Sequence, residues 1–229
     1  GYSEPGSGSD LASLKTRAVR DGDHYVVTGQ KVWTSHAHEA DWMYTLVRTS
    51  TEGRKQEGIT LLLIPLDLPG IRIQPIRTID AWHHVNEVFL DEVRVPVANR
   101  LGDEGAGWKC AKFLLDRERL GPAGVVRLER LLRHVAAQVE GRSEFAERLL
   151  LAEAEVRAAH QLLLSAIDDD MNGRLRSAKS SALKLHCSEL SQRIIGIAFD
   201  ALGPRRAARF LALADDGAPV LAEDAESNM

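Results

Sequence analysis

Three stretches of this chain hold residues whose types and spacing could do chemistry. The first is Gly1-Tyr-Ser-Glu-Pro-Gly-Ser-Gly-Ser-Asp-Leu-Ala-Ser13, where three glycines and four serines surround a Glu-Pro pair and an Asp. Such a loop can bring backbone N–H groups and hydroxyls against a ligand with no bulky side chain in the way. It can equally be a structural turn. Gly-Ser-Gly-Ser also matches an expression linker, but Glu4-Pro5 and Asp10-Leu11 are not linker residues. The second stretch, Lys31-Val-Trp-Thr-Ser35, sets an indole beside two hydroxyls. Trp33 could stack on a planar ring while Thr34 or Ser35 hydrogen-bonds a ring nitrogen or carbonyl; a Trp packed in the core is the alternative. The third, Leu115-Asp-Arg-Glu-Arg-Leu120, puts four charges into an apolar helical pattern. Asp116 and Arg119 are three apart and share a helix face, so they can pair with each other or belong to a solvated face.

Other chemistries find little support. Gly6-Ser-Gly-Ser-Asp-Leu11 is not a dinucleotide fingerprint, because Leu11 replaces the third Gly and a β pattern follows where a helix is required. It is not a P-loop, which ends in Gly-Lys-Ser/Thr. His36, His38, His83 and His84 have no carboxylate or Cys at ligand spacing, so a metal is not expected. Neither a Ser-His-Asp nor a Cys-His signature is visible. With 29 Lys and Arg against 33 Asp and Glu, the net charge of −4 offers no basic field for nucleic acid or an anionic membrane. No apolar run approaches the ~20 residues of a membrane span. Cys110 and Cys187 make no disulfide framework, which points to a reducing compartment.

The elements that must position these residues change period near residue 100. Before it, short alternating runs predict strands: 14–20, 24–28 and 31–35 with a break at Gly29-Gln30, then 42–48, 59–64, 71–74 and 87–94. Strands at this spacing predict a sandwich or barrel. After Gly102-Asp-Glu-Gly-Ala-Gly107 the period becomes helical. One stretch is predicted over 108–139, bent or interrupted at Gly121-Pro122. A second covers 143–171, with Phe145, Leu149, Val156, Leu163 and Ile167 on its apolar stripe and Asn172-Gly173 as its stop. A third covers 177–203, with Leu183, Leu190, Ile194 and Ala201 on one stripe. The expected class is α+β, with a β-domain over 1–100, a helical bundle over 101–214 and an acidic tail over 215–229 that holds five acids and no Lys or Arg.

Taken together and in order, the segments resemble the acyl-CoA dehydrogenase family of flavoproteins. Ser3-Glu-Pro-Gly-Ser-Gly-Ser-Asp10 is similar to its signature loop, and Tyr25-Val-Val-Thr-Gly-Gln-Lys-Val-Trp-Thr-Ser35 to the strand pair that follows. Asn86-Glu-Val-Phe-Leu-Asp-Glu-Val-Arg-Val-Pro96 resembles the exit from its β-domain, and Asp116-Arg-Glu-Arg119 the start of its C-terminal helices. The resemblance implies FAD and the α,β-dehydrogenation of an acyl-CoA thioester, with an electron-transfer flavoprotein or similar acceptor and a dimeric or tetrameric assembly. By position it places Tyr2, Ser3, Gly8 and Ser9 along the flavin, with Ser9 also on the CoA arm. Trp33, Thr34 and Ser35 form the second flavin segment, while Asp116 and Arg119 line the acyl-CoA site. In one branch of the family the base that takes the α-proton is a Glu just before the helix Arg, and Glu118 stands in that position.

Departures from the family pattern accompany the resemblance. Tyr2 stands where a smaller aliphatic residue is usual, and 139–147 lacks the usual Arg-x-x-Phe-Gly. Ala201-Leu-Gly-Pro204 stands near the place of Gln-x-x-Gly-Gly. The Gly-rich segment with its Glu and the N-terminal helical domain are not in the sequence, so a fragment of a longer protein is expected. The rival readings are a non-catalytic partner subunit of a heteromeric enzyme, or an acyl-CoA oxidase or flavin monooxygenase on the same scaffold. A bacterial cytoplasmic protein is expected, or a mitochondrial matrix protein if the source is eukaryotic; the excess of Arg over Lys, 22 against 7, is poor evidence for either.

Overall fold

Alternation with a period of two builds the first half. In β6 (Val85–Pro96), Asn86, Val88 and Leu90 point inward, and Val93 and Val95 do so again after a two-residue shift. The shift is a bulge: Val27 of β2 pairs with Val93, but Gly29 pairs with Leu90. Glu92 takes a left-handed φ of 51° there, which restores the apolar residues to the inner face. These coordinates come from a computed structural model that describes residues 1–79, 83–121, 124–175 and 177–203.

Seven strands form one mixed sheet in the order β5-β6-β2-β1-β3-β4-β7. They are β1 (Arg17–Asp21), β2 (His24–Ser35), β3 (Trp42–Arg48), β4 (Ile59–Pro65), β5 (Ile71–Ile76), β6 and β7 (Arg100–Leu101). All neighbours are antiparallel except β1 and β3, which meet in parallel at Arg17 and Arg48. Tyr25, Val27, Val47, Leu62, Ile64, Val88, Val93 and Val95 form the main core of this half. A second cluster joins Leu14, Leu46, Ile59 and Leu61 to Ala111. Because β4 contributes to both clusters, it reads as a continuous apolar run rather than an alternating one.

The break predicted at Gly29-Gln30 does not occur, since β2 runs unbroken from His24 to Ser35. A Cβ on Gly29 would lie 2.5 Å from Thr16 Oγ1 and 2.7 Å from Thr16 Cα. Glycine is present so that two backbones can approach, not to turn the chain. Gly29→Ala is therefore expected to cost about 1–3 kcal/mol through overpacking. Denaturant unfolding would measure this, and an unchanged midpoint would contradict the steric account.

The chain divides into two compact units after Phe113, within α1 (Gly107–Glu118). The second unit adds α2 (Val125–Gln138), α3 (Ala146–Met171) and α4 (Ser177–Leu202). The stretch predicted over 108–139 is thus two helices. Leu120 and Gly121 tighten the end of α1 by donating to Arg117 and Glu118, three residues back. Helical spacing sets the core: Val125, Leu128, Leu132 and Val135 of α2 pack with Leu183, Leu190, Ile194 and Ile197 of α4. Of the predicted stripe, Phe145 just before α3 and Val156 within it join this core, but Ile167 is exposed. Ala152, Ala159 and Ala166, each seven residues apart, are buried instead. Small residues at that spacing let neighbouring elements come close. Asn172 caps α3 and Gly173 leaves it with a φ of 66°, as the Asn-Gly pair predicts. No helix among the described residues is long and apolar enough to cross a membrane. The acidic tail over 215–229 lies outside the described residues.

Candidate functional site

The opening loop is closed on itself and then clipped to β2. Glu4 and Ser7 exchange backbone hydrogen bonds of 3.1 and 3.0 Å around Pro5-Gly6. The Glu4 carboxylate turns inward, accepting from the N–H groups of Lys15 (2.6 Å) and Thr16 (2.8 Å) and from Lys31 Nζ (2.9 Å). Lys31 also donates to the carbonyl of Tyr2 at 3.2 Å, and Val32 N–H donates to the carbonyl of Ser3 at 2.9 Å. Lys31 is fully buried and Glu4 nearly so, a rare setting for either residue unless paired. Burial pushes the Glu4 carboxyl up, but the Lys31 charge and the donated hydrogen bonds outweigh it and hold it below its usual range. Burial brings the Lys31 ammonium down to about 8, against the pull of Glu4. Both groups are charged at neutral pH. The clip lays Tyr2 and Ser3 along β2 and leaves Gly8 and Ser9 exposed, with open space where a Cβ on Gly8 would stand.

The next residues of β2 bulge outward. Lys31 pairs with Val88 and Thr34 with Asn86, so Val32 and Trp33 face Glu87 alone. Trp33 takes a φ of 60° and His36 one of 53°, both uncommon for residues with side chains. The indole is 59% exposed, so the reading of Trp33 as a core residue is overturned: the bulge turns it out of the sheet. Among the described residues the buried Thr34 hydroxyl oxygen has no hydrogen-bond partner, and the same holds for the hydroxyl of Ser7. A buried polar atom left unmatched is costly and calls for an explanation.

Beside the bulge, the histidines stack and hydrogen-bond. The rings of His38 and His83 lie 3.9 Å apart with 23° between their planes, and His36 stacks on His38 at 6.4 Å. The Glu39 carboxylate meets His36 Nδ1 at 3.3 Å and lies 3.4 Å from His38 Nε2. Among the described residues no group of His, Cys, Asp and Glu has the arrangement of a metal site.

In the helical unit, the charges at the end of α1 do not form a single solvated face. Arg117 pairs with Asp170 of α3 at 2.7 Å, and Arg119 Nη1 donates to Ser181 Oγ of α4 at 2.8 Å. Asp116 and Arg119 are half-buried, whereas the side chain of Glu118 is exposed.

Comparison with known families supplies the assignment. Residues 1–93 match the family model described as acyl-CoA dehydrogenase, middle domain, and residues 105–216 match acyl-CoA dehydrogenase, C-terminal domain. The chain belongs to the acyl-CoA dehydrogenase family. It is 48% identical over 126 residues to acyl-CoA dehydrogenase FadE29 of Mycobacterium tuberculosis, covering 54% of this chain and 33% of that protein. It is 30% identical over 215 residues to cyclohexane-1-carbonyl-CoA dehydrogenase of Geobacter metallireducens, covering 88% of this chain and 56% of that protein. Its fold resembles the solved steroid ACAD Tcur3481-Tcur3483 with a TM-score of 0.79 at 34% identity, over 86% of this chain and 54% of that one. The chain thus spans between a third and somewhat over half of the length of these three relatives.

Within this member of the acyl-CoA dehydrogenase family, the fold brings side by side the two segments that the sequence resemblance assigns to a flavin. The Val32 to Ser3 hydrogen bond and the Lys31 contacts join residues 2–9 to residues 31–35. Asp116, Glu118 and Arg119 lie in the helical unit. Sequence reasoning missed the Glu4–Lys31 clip and the amide of Asn86, which reaches the bulge. The signals were present as an acid inside a Gly-Ser loop, a lysine inside an apolar strand, and an Asn at an inward position of an alternating one.

Proposed function

We propose that this chain forms the flavin wall and part of the acyl-CoA site of an FAD-dependent acyl-CoA dehydrogenase. The observation that carries the reading is the joined loop and bulge, with an exposed indole on strained backbone next to a buried Thr34 hydroxyl that lacks a partner among the described residues. These features fit a planar, hydrogen-bonding ligand. Tyr2, Ser3, Gly8 and Ser9 hold it from the loop, and Trp33, Thr34 and Ser35 from the bulge. When bound, the flavin supplies the acceptor for the hydride that leaves the β-carbon of the acyl chain. Glu118 takes the α-proton on its carboxylate, as general-base catalysis requires. Asp116 and Arg119 line the acyl-CoA site, with Arg119 held in place by Ser181, and Ser9 reaches the CoA arm. An electron-transfer flavoprotein or similar protein would be the electron acceptor, and the setting is a bacterial cytoplasm.

A heteromeric assembly is the second reading, favoured by the likeness to the steroid ACAD Tcur3481-Tcur3483, whose name pairs two designations, and by the lack of Arg-x-x-Phe-Gly in 139–147. In that case part of the flavin site comes from another chain.

Equilibrium titration of the purified protein with FAD tests the main reading. Trp33→Gly is expected to leave thermal stability unchanged or slightly raised, because Gly accepts a positive φ freely, while weakening FAD binding about tenfold. Equal FAD affinity in the variant would remove Trp33 from the site.

A further inference from the structure

The strained bulge needs something to hold it, and one fully buried amide is placed to do so. Asn86 pairs with Thr34 across the β2–β6 ladder, where Val32 and Trp33 bulge. Its Nδ2 donates to the Thr34 carbonyl at 3.0 Å and meets His38 Nδ1 at 3.1 Å. Its Oδ1 meets His83 Nε2 at 2.7 Å. All of the side chain's hydrogens and its carbonyl are thereby engaged, and the pattern admits one orientation. A flipped amide would set its oxygen against the Thr34 carbonyl, acceptor to acceptor. The orientation fixes both imidazoles as well: His38 accepts at Nδ1 and offers Nε2–H toward Glu39, while His83 donates from Nε2. The stack of the two rings closes the assembly.

Residues kept in sparsely populated backbone regions persist only where the surroundings over-determine them. Thr34 lies between two of them, Trp33 and His36. We infer that Asn86 is a positioning residue for the flavin segment: its amide, oriented by His38 and His83, fixes the Thr34 carbonyl and so aims Trp33, the Thr34 hydroxyl and Ser35 at the ligand. This assignment rests on the flavin reading above.

The near-isosteric Asn86→Asp variant tests it, because an oxygen replaces the donor that Thr34 and His38 require. FAD affinity and the visible circular dichroism of the bound flavin are measured on the full chain, beside the melting temperature without FAD. Asn86→Asp is expected to raise the Kd for FAD at least tenfold and to change the visible dichroism of the flavin that still binds. A Kd within twofold of wild type with an unchanged visible spectrum would overturn the assignment, whatever happens to the melting temperature. Should Asn86→Asp not fold, His38→Phe keeps the ring stack and removes the acceptor at Nδ1, together with the Nε2–H that faces Glu39. That variant is expected to weaken FAD binding about threefold and alter the same visible signal, and its identity with wild type in both would equally overturn the proposal. If the wild-type chain takes up no FAD, the flavin reading itself fails and this assignment falls with it. Uptake by wild type with an indifferent Asn86→Asp removes the role of Asn86 alone.

Discussion

Lys31→Met is expected to destabilise the β unit by about 3 kcal/mol or more, the usual cost of leaving a buried charge without its partner. Met fills much of the space of the lysine stem, so the cost comes from charge and not from a cavity. Glu4 would keep its hydrogen bonds to the N–H groups of Lys15 and Thr16 but lose Lys31 Nζ at 2.9 Å, in a place closed to water. Acid changes this deficit with a definite sign. In the wild type the Glu4 carboxyl is held below its ordinary value of 4.5, so its contribution is complete above that pH and is lost as the pH falls through the lowered value. In the variant, burial acts on Glu4 without the opposing lysine. Protonation then removes the unpaired charge, and the deficit narrows on acidification. Denaturant unfolding at neutral pH and near pH 4 would check this, with equal deficits at both contradicting the account. Adding Glu4→Gln to Lys31→Met should recover part of the loss, since the two residues are in contact and their effects are not additive. The same substitution should loosen the loop, because Lys31 also holds the carbonyl of Tyr2.

Glu118→Gln is expected to lower the rate of acyl-CoA dehydrogenation about 10²–10⁴-fold in the purified assembly, the range a general base contributes. Gln keeps the size and most of the polarity of the side chain but cannot accept the proton. The fold should be indifferent, because the side chain is exposed and its neighbours Arg117 and Arg119 are anchored independently on Asp170 and Ser181. Substrate binding, followed by displacement of a bound acyl-CoA analogue, should change far less than the rate. Full activity in Glu118→Gln would remove this residue from the chemistry and favour the partner-subunit reading, with the base on another chain. The anchors of Arg119 give a useful contrast. Ser181→Ala should raise the KM for acyl-CoA while leaving the slow step intact, if Arg119 lines the substrate and takes no part in proton transfer.

Much of the fold was legible because two periods dominate it. Period two put Val88, Leu90, Val93 and Val95 inward, and period three to four did the same for Leu183, Leu190 and Ile194. Asn172-Gly173 marked a helix end by its backbone chemistry alone. Failures came where a residue type served a tertiary purpose. Gly29 looked like a turn but makes room for Thr16, and Ile167 fits the α3 stripe yet lies exposed while alanines carry the core. The expected class held, a β-domain followed by helices, but the strand order and pairing could not be read, since strand spacing carries no pairing information. For the site, order along the chain was enough to name the loop and the Trp33–Ser35 segment. Its supports were not legible, because Glu4 meets Lys31 across 27 residues of sequence and Asn86 meets Thr34 across 52. The outward turn of Trp33 depends on a bulge, and bulges are set by strand register, which composition does not reveal.

Hydrogen–deuterium exchange of the chain with and without saturating FAD tests the central claim most directly. The account expects new protection concentrated in residues 2–9 and 31–36, the loop and the bulge that the Glu4–Lys31 clip joins, with little change in α2, α3 or α4. Protection confined to the helical unit, or FAD binding that leaves both segments exchanging as before, would contradict it.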